Sequence, residues 1–166
     1  MLNDSLSLIA EFSIGLAGFS GVVALIGSTA DRVHKVRVAI LLRTSFTPGF
    51  CALFGIFLVH LGLDTDSTVR WTSAIFGTVI AFHYAIGVKS ILRIDSSLRK
   101  QMYRPVFWFH IVAYPINFLL QFYSALVPNE YAEGILIGGL VHVLLVGATS
   151  FTKIVIQILR NRPEAA

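Results

Sequence analysis

Few side chains in this sequence can do chemistry, and nearly all of them sit inside apolar runs. Glu11 follows Leu6-Ser7-Leu8-Ile9-Ala10, and His60, His83, His110 and His142 each fall in a different later run. Asn117 shares the run of His110. An ionisable or amide side chain in hydrocarbon is costly, and those retained there mark ion, proton or ligand paths or find a polar partner. Glu11 carboxylates from several copies of the chain, gathered as a ring, would favour cations. A single Glu11 would instead reach water or pair with His60, near the end of its own run. His83 and His110 agree in depth when successive runs alternate in direction, so they are the one pair placed to ligate a haem or a metal. Asn117 and His142 agree at mid-depth and predict a mutual hydrogen bond.

The spacing of small residues in the first run is the other signal. Ala10, Ser13, Ala17, Ser20, Ala24, Gly27 and Asp31 follow at alternating steps of three and four, which puts them on one helix face. Glu11, Gly15 and Gly18 form a row beside it, and Phe12, Leu16, Phe19, Val23 and Ile26 a third. In lipid, small residues let helix backbones approach closely. The face carrying Ser13 and Ser20 is therefore either the packed centre of a bundle or the lining of a water-filled path in an oligomer. Gly134 and Gly138 make a GxxxG pair in the last run, and with Gly15 and Gly18 they read as helix contacts. The lone Cys51 reads as core packing, because no zinc-like Cys/His spacing accompanies it.

The elements that must position these residues are helices. Five apolar runs, about 6–28, 38–63, 71–92, 105–127 and 134–159, match the roughly 20 residues a spanning helix needs. Barrel strands would alternate apolar and polar over about ten residues, and these runs do not. The first run is longer than a signal-peptide core and lacks a basic flank, so it reads as a retained span. Charged residues make up 13% of the chain, about half the soluble-protein share, so no soluble domain is left over. The fold expected is an all-α integral membrane protein, one domain over 1–166 with five transmembrane helices. Pro48 should bend the second helix and split off an inner surface segment. Pro115 should kink the fourth by removing a backbone donor.

The formal charge of +4 sorts by topology. Twelve of the thirteen Lys and Arg residues lie in the link between runs one and two, the link between three and four, the adjoining run ends, or the C-terminal end. Arg70 alone falls on the other side. Since basic loops stay cytoplasmic, the reading is N-terminus outside and C-terminus inside, multi-pass in a bacterial inner (plasma) membrane. Topology accounts for the charge, and no motif points to nucleic acid.

No Walker motif, nucleotide fingerprint, HExxH or nucleophile elbow occurs, so neither an enzyme nor a cofactor is expected. The leading expectation is a small homo-oligomeric cation channel with helix one lining the path through Glu11, Ser13, Ala17, Ser20, Ala24 and Gly27. The alternatives are a non-catalytic membrane subunit or effector acting through an unidentified protein partner, and a haem-binding redox protein built on His83 and His110.

Overall fold

The structure is a computed structural model that describes residues 1–26, 32–92 and 105–160, without the side chains of 23–26, 32–37, 90–92, 105–108, 110 and 157–160. Gly27 and the side chains of Ala24 and His110 therefore lie outside the described residues. Within them the chain is all-helical: α1 Leu2–Ile26, α2 Arg32–His60, α3 Thr65–Leu92, α4 Pro105–Leu126 and α5 Ala132–Arg160. Four helices are long and apolar enough to cross a membrane, through Leu2–Val22, Val38–His60, Thr65–Lys89 and Ala132–Ile156. The described apolar stretch of α4, Ile111–Leu126, is shorter.

Helix α3 begins ahead of its apolar run because a polar cap extends it. Asp64 accepts the Ser67 backbone N–H at 2.8 Å and the Ser67 hydroxyl at 3.0 Å, so α3 starts at Thr65, six residues before its apolar run. Those two bonds hold the Asp64 carboxyl below the ordinary aspartate value. At the end of α2, Gly62 takes φ 82°, and Gly62 N–H and Leu63 N–H bond back to the carbonyls of Val59 and Leu58. This is the Schellman arrangement, which needs a residue free to adopt a left-handed conformation. Between α4 and α5, Asn129 donates to the Val127 carbonyl and accepts from the Tyr131 N–H. These two short links lie at one end of the bundle, called here the loop end.

Contacts fix the helix directions. Along α1, Leu6 packs at Gly55, Ser13 at Gly49 and Ser20 beside Ser45, so α1 and α2 are antiparallel. The pairs Gly55–Thr72 and Thr47–His83 make α2 and α3 antiparallel, and Arg70 donates to the Ala125 carbonyl at 3.0 Å across α3 and α4. Helices α1 and α5 touch in parallel, through Leu16 at Gly147 and the Phe19–Phe151 ring pair. The main core joins Leu6, Ile9 and Ala10 of α1, Cys51 and Ala52 of α2, Phe76 and Ile80 of α3, and Leu136, Leu140 and Val143 of α5. Leu41 and Ile154 form a smaller cluster toward the other end.

Two sequence expectations change. Helix α2 is uninterrupted from Arg32 to His60, so no surface segment splits off at Pro48. Pro48 is fully buried, and the following Gly49 is where α1 sits closest; packing on both sides holds the helix through the missing hydrogen bond. The glycine contacts also move. Nothing lies within 4 Å of a Cβ built on Gly15, Gly18, Gly134 or Gly138, so none of the four is a helix contact within the chain. The close approaches fall instead at Gly49, where a Cβ would meet the Ser13 Cβ at 2.7 Å, and at Gly55, Gly77, Gly139 and Gly147.

Candidate functional site

Helix α1 presents two faces of opposite character. The small-residue row is inside: Ala10, Ser13, Ala17 and Ser20 are 4%, 2%, 8% and 0% exposed. Ser20 donates to the Leu16 carbonyl at 2.6 Å and lies 3.5 Å from the Ser45 hydroxyl. A path running between copies of the chain would therefore have to follow the neighbouring row. There Glu11, Gly15, Gly18 and Val22 are exposed, flanked by exposed Phe12 and Phe19 on one side and Ile14 on the other. Glu11 stands nine residues into α1, about 13 Å along the axis at about 1.5 Å per residue. The apolar run of the sequence continues past Val22 to about residue 28, so Glu11 lies in the half of α1 nearer the loop end. No described residue pairs with Glu11: His60 is an exposed side chain bonded through Nδ1 to the Ile56 carbonyl of its own helix at 2.9 Å.

The second polar group is internal. Asn117 and Gln121, one turn apart on α4, are both buried. Asn117 Nδ2 bonds the Gly139 carbonyl at 3.1 Å and lies 3.2 Å from His142 Nδ1, so the expected amide–imidazole pair forms. Gln121 Nε2 bonds Asn117 Oδ1 at 3.2 Å and the Ile135 carbonyl at 2.9 Å. The Tyr114 ring packs edge-on against His142 at 5.5 Å. The chain of bonds needs Gly139: a Cβ there would run into Gln121 Nε2, come within 2.6 Å of Asn117 Oδ1 and within 3.1 Å of Phe76.

Several buried oxygens have no hydrogen-bond partner among the described residues: the hydroxyls of Thr68, Thr72 and Ser73 on α3, Ser124 on α4, Ser13 on α1, and Gln121 Oε1. All but Ser13 lie toward the loop end. An unsatisfied buried hydroxyl costs roughly 1–3 kcal/mol, and internal water is the usual remedy, each molecule making about three bonds. The seam can thus bind water but holds no acid–base pair.

Sequence reading overlooked Gln121, although its spacing of four from Asn117 places both on one face. It also overlooked Thr72 and Ser73, at the start of the third run, and Thr68, which falls in a stretch that looked like a polar link until α3 is seen to begin at Thr65. His83 is not paired with another histidine among the described residues: its Nδ1 lies 3.3 Å from the Thr47 hydroxyl. No cluster of three or more His, Cys, Asp or Glu that could hold a metal occurs among the described residues.

Comparison with protein-family models, with curated proteins and with solved structures returned no match to this chain.

Proposed function

We propose that this chain is the subunit of a homo-oligomeric membrane channel for cations, with the outward row of α1 facing the path. The observation that carries the reading is Glu11: an exposed carboxylate within an apolar helix, unpartnered among the described residues and aligned with two uncovered glycines. An ionised side chain inside a spanning helix is costly, up to about 2.5–3.5 kcal/mol at the helix centre on insertion scales. Gathering several α1 rows about a common axis removes that cost, because water in the path solvates the carboxylates. A carboxylate ring admits cations and repels anions, while Gly15 and Gly18 leave the path wide beyond it. Gly134 and Gly138, uncovered on α5, offer a second small surface for contact between copies.

In this reading all five helices span, with the N-terminus outside and the C-terminus in the cytoplasm of a bacterial inner membrane. The concentration of twelve of thirteen basic residues away from the loop end supports that orientation.

The test is cation flux into liposomes holding the purified chain, with disulfide trapping between copies. Glu11→Gln should lower cation flux and weaken its preference over anions, and Gly15→Leu should block it. Gly15→Cys should cross-link copies, whereas Tyr123→Cys on the exposed side of α4 should not. A wild-type chain without flux, or a Glu11→Gln variant with unaltered flux and selectivity, would refute the channel. Cross-linking through Gly15→Cys without any flux would instead identify a membrane subunit that assembles but does not conduct.

A further inference from the structure

Helices α2 and α3 leave an open groove of about 490 Å3 on the outside of the bundle. Its walls are Phe46, Phe50 and Phe54 of α2 and Ile75 and Val79 of α3. Phe46 and Phe50 stack with centroids 5.9 Å apart, and both remain exposed. The groove is almost wholly apolar, and Arg43 at one end is its only charged lining residue. There Arg43 lies one turn from Thr47, and the Thr47 hydroxyl meets His83 across the helix pair. This is the end away from the loop end. Arg43 is exposed, and no carboxylate pairs with it among the described residues.

The position of Arg43 is the informative part. It lies five residues inside the apolar stretch Val38–His60, about 7.5 Å along the helix at about 1.5 Å per residue. A guanidinium at that depth must reach toward the interface or meet an anion. Its planar fork matches a phosphate with two parallel hydrogen bonds, which a compact ammonium cannot reproduce. An apolar trough leading to a single unpaired guanidinium has the charge and shape of one amphiphile: acyl chain along the phenylalanines, phosphate at the arginine. The exposed Lys89 and Lys153, late in α3 and α5, lie toward the same end and draw anionic headgroups to it.

We infer that the α2–α3 groove is a binding site for one anionic glycerophospholipid of the surrounding leaflet, its phosphate held by Arg43. The site lies on different helices from the outward row of α1 and does not depend on the channel reading. Thr47 is buried and bonded to His83 behind this end, so Arg43 is the charged side chain that meets the phosphate. Phe46 and Phe50 stiffen the wall against which the acyl chain lies.

The experiment is native mass spectrometry of the full chain, extracted in mild detergent from mixed phosphatidylcholine and phosphatidylglycerol vesicles. One phosphatidylglycerol should be retained per chain, in preference to phosphatidylcholine. Arg43→Gln should weaken retention about tenfold or more, as loss of a charge-assisted bond predicts, and Arg43→Lys should fall between. Arg43 is exposed, so these changes leave the core packing intact. Val79→Trp fills the groove and should abolish retention while Arg43 is kept. Equal retention of the two lipids, undiminished retention in Arg43→Gln, or undiminished retention in a folded Val79→Trp variant would each overturn the site.

Discussion

Adjacent glycines on α5 make a sharp test of the packing. Gly138 belongs to the GxxxG pair, yet a Cβ built there meets nothing within 4 Å. Gly139 belongs to no such pair, yet a Cβ there collides with Gln121 Nε2, Asn117 Oδ1 and Phe76. Alanine is the better helix former by roughly 0.5–1 kcal/mol, so Gly138→Ala should leave stability unchanged or raise it by about that amount. Gly139→Ala gains the same propensity and loses more. Overpacking a filled site costs about 1–3 kcal/mol. Moving either amide also breaks the bonds to Gly139 and Ile135 carbonyls and strands a buried polar group, at about 1–3 kcal/mol. The net expectation for Gly139→Ala is a loss of about 1–5 kcal/mol. The assay is reversible unfolding by a denaturing detergent, followed by circular dichroism at concentrations that keep the chain monomeric. Equal stability of the two variants, or a larger loss for Gly138→Ala, would refute the placement of α4 against α5.

Ser20→Leu should destabilise the chain itself, since Ser20 has no exposed surface and faces Ser45; lower thermal stability in detergent, measured before any flux assay, checks this. The Asp64 cap has a pH signature: its folded pKa is lowered, so its contribution is complete above the ordinary value of about 3.9 and fades as pH falls through the lowered one. Asp64→Asn should therefore flatten the acid side of the stability profile, and an unchanged profile would show that the cap does not form.

The sequence spoke clearly about what is periodic and poorly about which way a face points. Steps of three and four assign Ala10, Ser13, Ala17 and Ser20 to one side of α1, and the structure keeps them together. Whether that side packs or lines a path is not written in the spacing, because both uses ask for small residues. The row of Glu11, Gly15 and Gly18 differs from it by one position along the chain, and only the location of α2 decides which row is covered. Helix α5 is apolar almost all round, so the GxxxG pair could be recognised but its direction could not. On α3, Thr68, Thr72 and Ser73 were hidden because hydroxyls near a helix end look like solvent-facing residues. They are buried because neighbouring helices cover that end of α3: Thr72 lies against Gly55 of α2, and Arg70 ties α3 to the Ala125 carbonyl of α4.

The parallel contact of α1 with α5 has an electrostatic consequence. Among the described helices α5 touches both α1 and α3, and all three run in the same direction. Three helix N-termini then share the loop end with two C-termini, and one helix macrodipole stays uncancelled, equivalent to about half a positive charge at that end. Each of those three N-termini carries an acidic residue in its first turn: Asp4 in α1, Asp66 in α3 and Glu133 in α5. Asp64 and Glu130 add to them, against Arg70. The common direction of α1, α3 and α5 thus gathers carboxylates on one rim of the bundle, and their combined potential enriches cations in the water just above it.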